Sequence, residues 1–177
     1  MYADNTLTPK EAVRFCALGT LAAGPLSYSK LAISVRHFID RVQGPSLDVL
    51  GTSIELLKYE GLVTAADTDD GETIMQITEK GLQELTSLLT ANIRASGSDH
   101  NKLIEALKFR YLHLLETSEQ HTQAEVLTER ADIELGRLLD LRDYYQSDPG
   151  HLIDWLDQQI SELRTRLVWL ETFRKSI

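Results

Sequence analysis

Residues 46–85 read SLDVLGTSIELLKYEGLVTAADTDDGETIMQITEKGLQEL, and the fold class follows from how this stretch is punctuated. Leu47, Leu50, Ile54 and Leu57 recur at spacings of 3, 4 and 3, which lines one face of an α-helix from Ser46 to Glu60. Gly61 stops it, because the left-handed conformation just past a helix end is cheapest for glycine. Leu62–Thr64 and Thr73–Ile77 then read as strands around Asp69-Asp70-Gly71, a turn that tolerates positive φ. Thr78 offers an N-cap hydroxyl to a helix opening on Glu79, whose carboxylate suits the positive end of the helix dipole. Helix, hairpin and helix in this order are the core of a winged helix-turn-helix.

Upstream, Thr8-Pro9-Lys10-Glu11 combines an N-cap, a proline at the first helical position and a capping-box acid. Val13, Ala17, Leu18 and Leu21 give that helix a buried face, and Gly24-Pro25 ends it. Ser27 caps a second helix in which Leu31, Val35, Phe38 and Val42 point one way, and Ser29, Ile33, Arg36 and Asp40 the other. Gly44-Pro45 makes the turn to the Ser46–Glu60 helix, the one expected in a major groove. Its outward direction falls on Thr52, flanked by Asp48, Glu55, Leu56 and Tyr59. Thr52 and Tyr59 can hydrogen-bond phosphates or bases. Asp48 and Glu55 repel phosphates, although either can accept from a cytosine amino group. Lys58 falls near the buried edge, where it snorkels outward. Lys30, Arg36, His37 and Arg41 are the basic groups of the second helix, and Arg36 is the best placed for a phosphate; the equal alternative is a solvated face with Arg36 paired to Asp40.

Downstream, the helix from Thr78 is expected to reach about Ala95, and Ser96-Gly97-Ser98 is the plausible linker. The expected domains are residues 1–95, the winged helix, and residues 96–177, all helical, so that the chain is mainly α. Leu103, Leu107, Tyr111 and Leu114 mark a helix to about Glu116. Thr117 with Gln120 reads as a capping box for a long helix to Tyr145, and Asp148-Pro149 as the start of a last helix at Gly150. Leu152, Leu156, Ile160, Leu163, Leu167 and Leu170 form a seam close to a heptad, broadened by Trp155 and Trp169. The two long helices should pair as an antiparallel hairpin and bury their remaining apolar positions against a second copy; the alternative is burial within the chain.

The chain has 177 residues and a net charge of −9, divided about evenly by the expected boundary, so neither half is a basic body shaped for nucleic acid as a whole. Local patches decide instead. Cys16, alone in an apolar run, reads as a small buried hydrophobe in a reducing compartment. No run is long enough to cross a bilayer, and a cytoplasmic location is expected with no membrane partner. No phosphate-binding glycine loop, nucleophile elbow or HExxH occurs, and no catalytic residue, cofactor or metal is expected. His113/Glu116 and His121/Glu125 share helix faces but read as solvated surface rather than as a di-metal site.

The run IELLKYEGLV, the hairpin after it and ITEKGLQEL resemble the PadR-type transcriptional regulators, and the helical tail is similar to their AphA-like branch. The likeness spans nearly the whole chain. It implies a homodimer joined through the tail, which presents two copies of the Ser46–Glu60 helix to half-sites of double-stranded operator DNA. Ser46, Thr52 and Tyr59 are then the candidate contacts, with Arg36 and Lys30 on the backbone, and the resemblance also implies a small-molecule effector. Gly51 stands where the family commonly has a tyrosine, Glu55-Leu56 replace a basic pair, and the wing Asp67-Thr68-Asp69-Asp70-Gly71-Glu72 is acidic. These departures motivate an alternative: a winged helix turned into a protein–protein module that docks a basic partner.

Overall fold

The computed structural model describes residues 6–44, 50–67, 71–93 and 99–177, with the backbone alone at 50–53, 67 and 99. Helix α1 (Pro9–Ala22) starts as its capping signal requires. The Glu11 N–H donates to Thr8 Oγ1 at 3.3 Å, and the Thr8 N–H donates to Glu11 Oε2 at 2.6 Å. Its core face is wide: Ala12, Val13, Phe15, Cys16, Ala17, Leu18 and Leu21 are all buried, and four later helices and a strand of the same compact unit pack against it.

After Gly24-Pro25 comes a strand too short for any alternation to announce. β1 (Leu26–Ser27) pairs antiparallel with Met75 and Ile74. Ser27 does occupy the N-cap of α2 (Tyr28–Val42), but its hydroxyl lies 3.2 Å from that of Ser29 and does not cap the helix. Helix α3 is described from Leu50 to Tyr59, so its expected first turn at 46–49 lies outside the described residues. Its end is a Schellman motif: the Gly61 N–H reaches the Lys58 carbonyl at 3.1 Å, the Leu62 N–H reaches the Leu57 carbonyl at 2.9 Å, and Gly61 has φ 71°. β2 (Val63–Asp67) runs beyond the expected Thr64 and pairs with β3 (Thr73–Ile77) in a register from Val63 opposite Ile77 to Asp67 opposite Thr73. The expected Asp69-Asp70 tip lies outside the described residues, and the sheet order is β1-β3-β2. α4 (Glu79–Thr90) opens on Thr78, whose Oγ1 accepts from the Gly81 N–H at 3.0 Å, and closes short of Ala95. Helix, strand, two helices, hairpin and helix together make a winged helix-turn-helix.

Helix α5 (Asp99–Tyr111), followed by a 3₁₀ turn at Leu112–Leu114, belongs to the same compact unit. The unit ends at Leu114, rather than after Ala95, because the apolar face of α5 packs on α1. Leu103, Ile104, Leu107 and Tyr111 are buried, the Tyr111 hydroxyl donates to the Cys16 carbonyl at 3.1 Å, and the Arg110 guanidinium stands 4.5 Å from the centre of the Phe38 ring of α2. Lys108 is buried too, its ammonium donating to the Leu89 carbonyl near the end of α4. Burial pulls its pKa down to about 8.

The second unit, from Leu115 on, contains α6 (Thr117–Tyr144) and α7 (Leu152–Ser176) as an antiparallel hairpin. Arg142 binds Asp157 at 2.5 Å and Arg174 meets Glu125 at 3.7 Å, two ion pairs in one common register. The N-cap of α6 is Glu116, not Thr117, and Gln120 Nε2 donates instead to the Leu115 carbonyl at 2.7 Å. Asp148 Oδ1 accepts from the Gly150 N–H at 2.8 Å, a local turn that delays α7 to Leu152 rather than starting it at Gly150.

Candidate nucleic-acid interface

Helix α3 is seated by Ile54 and Leu57, both wholly buried, and this turns Glu55, Leu56, Lys58 and Tyr59 outward. Tyr59 is 93% exposed, so its ring covers no core and its hydroxyl is available to a partner. Lys58, next to buried Leu57, reaches outward as expected and is exposed: it stands on the wall of a cleft of about 350 Å3. Tyr28 and Ser29 of α2, Glu55 of α3, and Gly71, Glu72, Thr73 and Met75 of the wing line the rest of that cleft. Two helices and the wing therefore meet around one cation and two carboxylates. Ser46 and Asp48 lie outside the described residues, and Thr52 lies on α3 with its side chain undescribed.

The far end of α3 is held from three directions. Arg14 of α1 donates to Glu60 at 2.8 Å and to Glu84 of α4 at 2.8 Å, bridging acids 46 and 70 residues away. Burial alone lowers the Arg14 pKa, but the hydrogen bond to Glu84 and the charges of both acids outweigh it, and the net shift is upward. Lys80 Nζ donates to the Glu60 carbonyl at 2.8 Å, and Thr78 Oγ1 donates to the Gly61 carbonyl at 2.8 Å. Gly81 completes the junction, since a β-carbon there would run into the Leu62 carbonyl. Nothing local in the sequence joins Arg14 to Glu60 or Glu84, so its role has no sequence signal. Thr78, by contrast, carries a local capping signal, and the same hydroxyl also ties the wing to the end of α3.

On α2, Lys30 and Arg36 are both exposed but on different flanks. Arg36 follows Ser29 at helical neighbour spacing and so shares the flank that borders α3 and the wing. Lys30 lines up with Ser34, His37 and Arg41, next to Phe38 and hence on the flank that meets Arg110 of α5.

The tail seam divides. Leu156, Ile160 and Leu170 are buried within the chain, Leu152, Leu163 and Leu167 are half-buried, and Trp155 is 54% exposed. His113, Glu116, His121 and Glu125 are all exposed, and among the described residues no group of three or more His, Cys, Asp or Glu gathers as a metal would require. Among them, too, no helix is long and apolar enough to cross a membrane.

A family model described as "Putative AphA-like transcriptional regulator" matches residues 2–174. No curated protein matches the chain. Solved structures that align with it include Bacillus subtilis PadR in complex with operator DNA, at 17% identity over 96% of this chain and 100% of that one, with a TM-score of 0.43. The PadR-like transcriptional regulator BC1756 from Bacillus cereus aligns at 14% identity over 93% and 96%, with a TM-score of 0.38. The protein smu.1604c from Streptococcus mutans UA159 aligns at 15% over 90% and 96%, with a TM-score of 0.40.

Proposed function

The chain belongs to the AphA-like family of transcriptional regulators, and from that premise we propose that it works in the cytoplasm as a homodimer reading double-stranded operator DNA. The observation that carries the reading is the outward face of α3, which is locked at its end by Arg14, Lys80 and Thr78 while Tyr59 stands clear of the core. A rigid helix with an uncommitted hydrogen-bonding face beside a wing suits a major groove. Tyr59 and Thr52 are the proposed contacts, with Ser46 ahead of them; Arg36 on the same side of α2 takes a phosphate, and Lys30 is the weaker second anchor. The dimer reading is supported by apolar side chains that the tail hairpin leaves outside, above all Trp155, Trp169 and Ile133. A small-molecule effector is implied by the resemblance, and no residue of this chain is assigned to it.

An electrophoretic shift with sheared genomic DNA at low salt tests this. Wild type should retard the DNA, while Arg36→Ala and Tyr59→Ala should weaken retardation; Arg36→Ala should also flatten the salt dependence by roughly one counterion. If neither wild type nor an Asp48→Asn/Glu55→Gln variant retards DNA at any concentration, the DNA reading falls. In that event the second reading gains: Glu55 and Glu72 are both exposed around the α3–wing cleft, and such an acidic rim suits a basic protein partner.

A further inference from the structure

The crest of α2 carries a second surface, which adjoins the flank that Ser29 and Arg36 share with the α3–wing cleft. Ile33 sits on it 69% exposed, a large aliphatic side chain standing in water on a 15-residue helix whose Leu31, Val35 and Ile39 are fully committed to the core. Around Ile33, a shallow depression of about 430 Å3 is lined by Arg36, His37, Asp40 and Arg41. Lys30, one turn before Ile33, extends the basic rim, and all three of Lys30, His37 and Arg41 are exposed. In a chain of net charge −9, an apolar centre whose rim sets Lys30, Arg36 and Arg41 against Asp40 is a local inversion of the surface.

We propose that this crest docks an acidic amphipathic segment of another protein, with Ile33 receiving an aliphatic side chain and Lys30, His37 and Arg41 donating to its carboxylates. An exposed apolar centre with charges at the edge is the anatomy of a protein interface. A phosphodiester backbone offers Ile33 nothing, and the row Lys30, His37 and Arg41 lies about 100° around the helix from Ser29, toward the flank where Phe38 meets Arg110 of α5. Charge complementarity selects an acidic partner over a basic one. The helix spans only about 22 Å, so the contact belongs to the small, transient class of interfaces. The proposal stands whether or not α3 reads DNA.

The test uses the full-length protein and a labelled helical peptide of glutamate with leucine at i, i+3, i+4 and i+7, followed by fluorescence anisotropy. Two controls carry lysine for glutamate or serine for leucine. Saturable binding of the Glu/Leu peptide alone is expected. It should weaken about fivefold or more in Ile33→Ala and severalfold in Lys30→Ala and Arg41→Ala, recover in Ile33→Leu, and be untouched by Tyr59→Ala. Because Ile33 is on the surface, circular dichroism of these variants should match wild type. No saturable binding, equal binding of the serine control, or indifference to Ile33→Ala would each overturn the proposal. Displacement of the peptide by duplex DNA, together with lower DNA affinity in His37→Ala and Arg41→Ala, would overturn it in favour of a phosphate-contacting surface.

Discussion

The ring of Tyr111 occupies the place a β-carbon on Gly19 would take: three ring carbons lie 2.6–2.7 Å from that position. This contact joins α5 to α1 and brings α5 into the winged-helix unit. Gly19→Ala should gain up to about 1 kcal/mol of helix propensity, yet overpacking against a ring pinned by its own hydrogen bond should cost about 1–3 kcal/mol. Net destabilisation is the expected outcome in urea unfolding. Pairing Gly19→Ala with Tyr111→Ala should remove the overpacking part of the cost. A stabilised single variant would mean that the two helices do not meet this way.

Arg14 holds α3 through Glu60 and α4 through Glu84, with all three side chains a quarter to two-fifths exposed. Screening at that exposure limits each pair to roughly 1 kcal/mol or less. Double-mutant cycles on Arg14→Met with Glu60→Gln and with Glu84→Gln should give coupling energies of that size, falling with added salt. The functional consequence is separate from the stability one. If the α3 end must be rigid to read DNA, Arg14→Met should lower operator affinity more than its small effect on Tm suggests.

Where the sequence was legible, the signal was local. The Thr8 capping box, the Gly61 stop and the Thr78 cap each depend on residues within a few positions, and each appears with the expected bonds. The pairs read at Thr117/Gln120 and Asp148-Pro149 have the right letters, but the N-cap position falls on Glu116 in one case and His151 in the other, and neither side chain caps its helix. What could not be read was tertiary. A two-residue β1 has no periodicity, Arg14 finds acids far along the chain, and α5 looks like the first helix of a tail until Gly19 meets Tyr111. Of the proposed contacts, the outward position of Tyr59 was legible from helix spacing, whereas the role of Lys58 in the α3–wing cleft needed the wing in place.

Lys108 gives the fold a pH signature in the alkaline range. Its pKa is about 10.5 in an unfolded chain and about 8 when buried, so between these values the unfolded state binds more protons and stability rises with pH. Below about 8 the whole penalty for burying the ammonium is present. In Lys108→Met that penalty is gone, so wild type should gain on the variant by on the order of 3 kcal/mol between pH 8 and 10.5. Cys16, pushed up to about 11 by burial, and Tyr111, also pushed up mainly by burial, favour unfolding from about pH 9 upward. Both proteins carry those groups, so their effect cancels in the difference. Urea unfolding at several pH values checks this, and a pH-independent difference would place Lys108 in water.

The tail offers the last comparison, between residues that the hairpin uses and residues it leaves over. Leu156 is wholly buried, whereas Val126, Ile133, Leu141 and Tyr144 recur along one side of α6 at spacings of 7, 8 and 3 and are all exposed. Trp155 and Trp169 make a corresponding row on α7, where Trp169 stacks on Phe173 at 5.6 Å. Rows of this kind are costly to leave in water at about 25 cal/mol per Å2, and an isologous pairing of two hairpins covers both at once. Ile133→Glu should therefore convert a dimer to a single subunit in sedimentation at micromolar concentration while helicity is kept. Leu156→Glu should instead lose helicity, because it places a charge inside the hairpin itself. A wild type that sediments as a lone subunit would remove the dimer, and a dimer indifferent to Ile133→Glu would move the contact off the α6 row.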